Sequence, residues 1–260
     1  MRNLKIILLQ FQEVIEDRSR IFVWFLLGII TPLIMILFWR GASHIPGWTS
    51  NEITSYYLLA IIINAIIMCH QEEHVGTIDI QEGGLSSYLL KPFSYFWLIF
   101  FNELAYRLLQ GILGILLLVV FVGFFPGLFA FAKSPDVLFL SVIIAIVAFL
   151  LTFIFKMIIG ILAFWLTETR GAFEATNVMI VIFSGLLMPL AFLPSWLEQI
   201  VSKMPFAYMI YFPVIAFEGK LTVLELWQVL FMEFFWLGIC LLIYKKLWQE
   251  GIKQYTAVGQ

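Results

Sequence analysis

The chain has 260 residues, of which 62% are hydrophobic and only 12% are charged. A water-soluble domain cannot cover its surface with so few charged side chains, so the composition excludes a soluble globular protein. The formal net charge of −2 gives no indication of nucleic-acid binding. We therefore predict an all-α integral membrane protein, a single transmembrane domain over residues 1–260 that lies in the lipid bilayer.

The first segment, residues 3–20, is amphipathic. Apolar and polar side chains separate onto opposite faces of a helix, which is typical of a helix lying in the membrane interface. A helix packed on a partner subunit is the alternative. The apolar face carries Leu4, Ile7, Leu8, Phe11, Val14 and Ile15, and the polar face carries Gln12, Glu13, Glu16 and Asp17.

Six transmembrane helices follow, because a hydrocarbon core of about 30 Å needs roughly 20 apolar residues. Capping boxes at Thr49-x-x-Glu52 and Thr222-x-x-Glu225 mark the starts of the second and last spans. Glu103 and Arg107 interrupt the third apolar block, so we expect an interfacial ion pair there and a span that begins near Leu108. The predicted spans are 21–39, 53–70, 108–125, 137–166, 175–191 and 224–245.

The distribution of positive charge predicts the orientation. An even number of spans puts both termini on one side, and Lys and Arg are more frequent on the cytoplasmic side of membrane proteins. We therefore place both termini in the cytoplasm. One side holds Arg2, Lys5, Arg18, Arg20, Lys91, Arg170, Lys245, Lys246 and Lys253, and the other holds Arg40, Lys133, Lys203 and Lys220.

One segment matches a catalytic motif. Residues 70–74, His70-Gln71-Glu72-Glu73-His74, fit the H-x-x-E-H pattern of inverted zinc proteases. Zinc needs a third ligand, and the other histidine, His44, lies in a loop that the charge distribution places across the membrane. We expect no catalytic, metal or cofactor site on this chain, and a membrane-embedded zinc hydrolase is the alternative. Cys69 and Cys240 are expected to be buried hydrophobic residues.

A few polar residues lie inside the apolar blocks. Lys156 is expected to snorkel or to pair with a carboxylate such as Glu103, and Glu233 is a second charged residue within a span. Small and amide side chains allow close helix packing and hydrogen bonds between helices. Candidate residues for a transport path or a dimer interface are Asn64, Asn177, Ser184 and Met188.

Residues 194–217 are apolar but contain three prolines, which prevent one continuous helix. Irregular backbone at membrane depth must be buried by protein. We therefore predict a re-entrant helical hairpin that enters and leaves on the outer side and gates the path. The candidate gate residues are Trp196, Pro205, Phe206 and Pro213.

Several short motifs occur in a specific order along the chain. They are Gly76-Thr77-Ile78-Asp79, Gly84-Leu85-Ser86-Ser87-Tyr88-Leu89-Leu90-Lys91-Pro92, Phe164-Trp165-Leu166, Ser184-Gly185 with Pro189, Pro194-Ser195-Trp196-Leu197 and Met204-Pro205-Phe206. With the six spans, they make the chain resemble the permease subunit of an ABC type-two exporter. The similarity is to the permeases found beside daunorubicin-resistance-like ATPases.

The resemblance implies the permease subunit of an ATP-driven exporter, which we place in the cell (inner or plasma) membrane. A path lined mainly by Ile, Phe and Met would suit an amphipathic or lipid-like cargo. The resemblance also implies two ABC ATPase subunits, which would carry ATP and Mg, and a second permease subunit of the same or a related kind. Since the chain has no G-x-x-x-x-G-K-[ST] motif, it is not expected to be an enzyme; a non-transporting membrane anchor is a further alternative. Residues 71–92 would form the cytoplasmic coupling segment, with Glu72, Glu73, Thr77, Asp79, Gln81, Glu82, Leu85 and Tyr88 toward the ATPase.

Overall fold

The computed structural model describes residues 11–41, 48–124, 129–132 and 134–255, except positions 13 and 17. These residues form helices and no strand, which confirms the all-α prediction. Shorter turns are a π-helix (His74–Gln81) and three 3₁₀ helices (Leu162–Phe164, Leu190–Phe192, Pro205–Tyr208). The α-helices are α1 (Arg18–Gly41), α2 (Ser50–Ile67), α3 (Leu85–Leu89), α4 (Tyr95–Phe124), α5 (Pro135–Ile161), α6 (Arg170–Phe183), α7 (Ser195–Val201), α8 (Tyr211–Glu218) and α9 (Val223–Gln254).

Five helices in the described ranges are long and apolar enough to cross a membrane. A bent pair, Ser195–Val201 and Pro205–Glu218, passes the same test only when its two parts are taken together, and they meet at 75°. The predicted span 175–191 corresponds to α6, which has 14 residues. At 1.5 Å per residue α6 is about 21 Å long, shorter than the hydrocarbon core. The five helices are Ile21–Gly41, Ser50–Ile67, Tyr95–Phe124, Pro135–Phe164 and Val223–Gln254.

Both capping boxes are present in the structure. The Thr49 amide donates to Glu52 Oε2 (2.7 Å), and the Glu52 amide donates to Thr49 Oγ1 (3.2 Å). Thr222 and Glu225 make the same reciprocal pair at 2.8 and 3.4 Å. These bonds satisfy amides that a helix start leaves unpaired, which is why α2 and α9 begin where the sequence predicts.

The third span differs from its prediction at its start. Helix α4 is continuous over 30 residues from Tyr95, rather than beginning near Leu108. The Glu103–Arg107 pair (Nε–Oε1 2.8 Å) is buried in the bundle. Arg107 Nη1 also donates to Gln110 Oε1 at 2.7 Å. Because the two charges compensate each other, the helix continues through them.

The predicted amphipathic helix over residues 3–20 lies largely outside the described residues. Its described part is helical at 11, 12 and 14–16. Val14 is buried with Ile21 and with Ala105 of α4, and Phe11 packs against this cluster. Phe11 and Val14 therefore contact the bundle, whereas Ile15 is 52% exposed.

The bundle has two distinct ends. At one end, beside the starts of α2 and α9, the Lys220 ammonium lies 3.0 Å from the ring centroid of Trp48; we call it the Trp48 end. At the opposite end Trp248 stacks on Tyr95 (5.4 Å between ring centroids) and packs on Phe164 (5.9 Å); we call it the Trp248 end. Segment 71–92 belongs to the Trp248 end, and segment 194–217 begins and ends at the Trp48 end.

Candidate functional site

Segment 71–92 is fixed to the bundle by hydrogen bonds from several elements. Gln81 Nε2 donates to the carbonyls of Leu166 (3.0 Å) and Thr167 (3.1 Å), beyond α5. The Tyr95 hydroxyl donates to Asp79 Oδ2 at 2.5 Å. The Tyr255 hydroxyl, after α9, donates to the carbonyl of Gly83 at 2.9 Å. The segment is therefore a rigid extension of α4, α5 and α9, not a free loop.

The eight predicted coupling residues divide into two groups. Glu72, Asp79, Gln81, Leu85 and Tyr88 bind or pack into the bundle, whereas Glu73, Thr77 and Glu82 are exposed or partly exposed. The exposed surface also contains apolar side chains that sequence reasoning missed. Ile78 and Leu89 are about half exposed, and Leu90 is 88% exposed. The Leu89-Leu90 pair inside a polar insertion was the available signal.

Lys156 connects segment 71–92 to α6. Its ammonium donates to Glu72 Oε1 and to Asn177 Oδ1 (2.6 Å) and is fully buried. Lys156 therefore pairs with a carboxylate, as expected, but the partner is Glu72 and not Glu103, which is occupied by Arg107. Burial raises the pKa of the Glu72 carboxyl, and the Lys156 ammonium opposes that rise. Desolvation of the pair is offset by charge-assisted hydrogen bonds from three elements.

Two glycines allow the same three elements to approach closely. A Cβ on Gly76 would lie 2.5 Å from Phe173 Cζ of α6, and a Cβ on Gly160 of α5 would lie 3.0 Å from Val75. Glycine leaves the space that these contacts need. Segment 71–92 therefore contacts α6 twice, through Phe173 and through the Glu72–Lys156–Asn177 network.

The two histidines of the H-x-x-E-H motif face different partners. The His70 ring stacks on Trp24 of α1 at 5.8 Å, whereas His74 Nδ1 lies 3.2 Å from Asp79 Oδ2. The backbone is not helical at residues 68–71, so the two histidines do not share a helical face. Within the described ranges, no three His, Cys, Asp or Glu side chains are grouped so that they could hold a metal ion.

The residues proposed for the path or dimer interface lie in three separate places. Asn64 lies between α2 and α1, Asn177 binds Lys156, and Ser184 and Met188 follow the end of α6. The helical conformation ends just before Gly185, whose φ of +88° favours glycine. A Cβ there would also lie 2.6 Å from the Tyr56 hydroxyl oxygen.

Side chains of α2 and α1 form hydrogen bonds with the irregular backbone that follows α6. The Tyr56 hydroxyl donates to the carbonyl of Gly185 at 2.8 Å. The carbonyl of Leu187 accepts from the Tyr57 hydroxyl (2.9 Å) and from Trp39 Nε1 (3.3 Å). Irregular backbone inside a membrane bundle needs such partners. The end of α6 is therefore a fixed feature of the fold.

Segment 194–217 leaves the Trp48 end and returns to it. Trp48 packs on Phe192 just before the segment (5.2 Å between ring centroids) and contacts Lys220 just after it. In between, the carbonyl of Lys203 accepts from Trp236 Nε1 at 3.1 Å. Trp236 is thirteen residues into α9, about 20 Å from the start of that helix. The segment thus starts and ends beside Trp48 and reaches deep into the bundle in between.

The four candidate gate residues occupy different positions. Phe206, at the deepest turn, is buried between Phe155 of α5 (5.5 Å) and Phe183 of α6 (6.2 Å). Pro213 is buried, Pro205 is partly buried and Trp196 is exposed. Phe206 is therefore the gate candidate that contacts α6.

Glu233 of α9 is fully buried, and neither of its carboxylate oxygens has a hydrogen-bond partner among the described residues. Both cysteines are free and buried, as predicted. No function is assigned to these three side chains.

Comparison with known proteins agrees with this architecture. No curated protein matches the sequence. The family model described as "ABC-2 family transporter protein" matches residues 25–259, which is nearly the whole chain. The matched range includes the long apolar helices, segment 71–92 and segment 194–217. The chain is a multi-pass membrane protein that belongs to the ABC-2 transporter family.

Proposed function

We propose that this chain is the membrane-spanning subunit of an ATP-driven exporter that moves an amphipathic or lipid-like molecule. Proteins of the ABC-2 family generally work with a separate ABC ATPase and often dimerise. The observation that carries the proposal is the attachment of segment 71–92 to the bundle. The outer surface of this segment is suited to binding a partner protein, and its inner surface contacts α6. ATP and Mg would bind to the partner, in two ATPase copies, beside a second permease subunit.

Segment 71–92 has the two properties that mechanical coupling needs. Its outer surface presents Ile78, Leu89 and Leu90, apolar side chains that a partner protein would cover. Its inner surface contacts α6 through Phe173 and Asn177. A displacement of the segment by an ATPase would therefore move α6.

Helix α6 also contacts the re-entrant segment. Phe183, in the last turn of α6, packs on Phe206 at the deepest point of segment 194–217. The order of contacts is then segment 71–92, α6 and the gate. We infer that ATPase closure moves α6, and that α6 shifts Phe206 to open the path at the Trp48 end.

The positive charges support the same orientation. We place the Trp248 end and both termini in the cytoplasm, because Lys and Arg favour that side. Arg40 and Lys220 belong to the Trp48 end. At the Trp248 end the described Lys and Arg residues are Arg18, Arg20, Lys91, Arg170, Lys245, Lys246 and Lys253, and Lys203 lies within segment 194–217.

The proposal is tested by producing the chain together with an ABC ATPase from its own genome, first the one encoded by the adjacent gene. We expect the two proteins to copurify and ATP hydrolysis to exceed that of the ATPase alone. In the Phe206→Ala variant, ATPase binding should persist while transport falls. A chain that purifies alone from each such co-expression, with unchanged ATP hydrolysis, would support the membrane-anchor or hydrolase alternatives instead.

A further inference from the structure

A cavity of about 200 Å³ lies between α1, α2 and α4, in the half of the bundle next to segment 71–92. Trp24 is six residues after the start of α1, and Asn64 is three residues before the end of α2. The apolar wall comes mainly from α1, with Phe25 and Leu27, and from Ile61 of α2. No candidate site derived from the sequence includes this cavity as a whole.

The remaining wall is polar. Arg107 and Gln110 are both buried in it, and Asn64 and His70 also line it. The side-chain amide of Asn64 and the Nε2 of Gln110 have no hydrogen-bond partner in the part of the chain that the structure describes, whereas the His70 ring bonds to the backbone of Met68. A buried polar group without a partner, such as the Nε2 of Gln110, is costly unless something binds it. The cavity therefore offers several hydrogen-bonding groups to a ligand.

The charge in the wall is compensated. The Arg107 guanidinium is held by Glu103 at 2.8 Å and by Gln110 Oε1 at 2.7 Å. A phosphate or carboxylate would have to displace Glu103, and an ammonium would lie beside Arg107. The polar wall therefore favours an uncharged head that carries hydroxyl or amide groups, which Trp24 could cover with its ring face.

The size limits how much of a molecule can enter. Pockets that enclose a drug-sized ligand measure about 300–1,000 Å³, and this cavity is smaller. Only a small polar head fits, and the rest of the molecule must stay outside. Leu27 of α1 lines the cavity and is about half exposed, so it offers an apolar surface for a chain.

We propose that this cavity is the entry site for the uncharged polar head of an amphipathic molecule that approaches from the leaflet at the Trp248 end. Its role in cargo entry rests on the proposed exporter function. His70 lines the cavity, and Glu72, two residues later, binds Lys156. An occupied entry site is thus adjacent to the network that connects segment 71–92 with α6.

Gly28 provides a variant that fills the cavity without removing a polar group. A Cβ there would lie 3.7 Å from Asn64 Nδ2, an ordinary contact, so a longer side chain projects into the cavity. Gly238 of α9 has nothing within 4 Å of its Cβ position and is the matched control. The test compares wild type, Gly28→Leu and Gly238→Leu, each as the full chain in nanodiscs.

The probes are dodecyl glucoside, dodecyl phosphate and dodecyl trimethylammonium, each with a photoreactive diazirine next to the head. We expect the glucoside to label peptides containing Trp24 or Asn64 most strongly, with at least a tenfold loss in Gly28→Leu and none in Gly238→Leu. If Gly28→Leu does not fold, Leu27→Trp at the exposed wall replaces it. Equal labelling of all variants, or stronger labelling by either charged probe, would overturn the proposal.

This experiment uses no ATPase, so its outcome is separate from that of the exporter proposal. If the chain is labelled specifically but binds no ATPase, the binding site is supported and its role in transport is not. If the chain forms an active complex with its ATPase but is not labelled specifically, the binding site is refuted and the exporter function is supported.

Discussion

The replacement of Lys156 by methionine is expected to destabilise the protein strongly. Lys156 is fully buried, and the Glu72 side chain is 4% exposed, so solvent does not screen the pair. Removal of one partner of such a pair costs about 3–5 kcal/mol, because the other charge stays buried without compensation. The exposed pair Lys253–Glu250 is the control, since an exposed pair contributes at most about 1 kcal/mol. The Lys253→Met variant should therefore be close to wild type.

The assay is SDS-induced unfolding in mixed micelles, followed by far-ultraviolet circular dichroism. A double-mutant cycle with Glu72→Met isolates the interaction. Because both charges are gone, the double variant should lose less stability than Lys156→Met alone. Our interpretation is refuted if the free energy of unfolding of Lys156→Met lies within about 1 kcal/mol of the wild-type value. It is also refuted if the effects of the two single substitutions simply add in the double variant.

The same variant should show a characteristic pH dependence. Burial already raises the pKa of Glu72, and loss of the Lys156 ammonium removes the charge that opposes this rise. A carboxyl with a raised pKa binds its proton more tightly in the folded state. The protonated Glu72 of Lys156→Met therefore favours the folded state at low pH. This contribution to stability is lost as the pH rises from the ordinary glutamate range through the raised pKa of Glu72. Lys156→Met should be less stable at pH 8 than at pH 5, and the double variant should lose this difference.

Three further predictions concern other parts of the fold. Gly185→Ala should cost at least about 1–3 kcal/mol in the same unfolding assay, because φ is +88° there; an unchanged stability would contradict the assigned turn. Thr222→Ala should cost about 0.5–2 kcal/mol through loss of the capping box, and no loss would show that the cap is not used. Gln199→Cys and Val223→Cys should both react with an impermeant thiol reagent from outside the cell, whereas labelling from opposite sides would mean that segment 194–217 crosses the membrane.

Local signals were sufficient for much of the fold. The capping boxes located the starts of α2 and α9, since a cap depends only on residues three positions apart. The proline spacing in 194–217 predicted a broken segment, and the structure has a 75° bend there. Hydropathy is also a local signal, and it located the long apolar helices because the bilayer thickness sets their length.

Interactions between distant residues were not accessible in the same way. Glu72 and Lys156 are 84 positions apart, and nothing in the local pattern favoured Glu72 over Glu103 as the partner. The start of α4 was misplaced because an ion pair buried by neighbouring helices looks, in sequence, like an interfacial one. The cavity beside Asn64 depends on three helices meeting and has no sequence signature.

The central claim is that segment 71–92 docks the partner ATPase, and site-directed cross-linking tests it most directly. Leu90→Cys places a thiol at the highly exposed residue that follows α3, and Trp196→Cys places one at an exposed residue near the Trp48 end. In the complex with its ABC ATPase carrying cysteines along its membrane-facing groove, Leu90→Cys should cross-link and Trp196→Cys should not. Cross-links formed only by the terminal tails, with none from Leu90→Cys, would contradict the account.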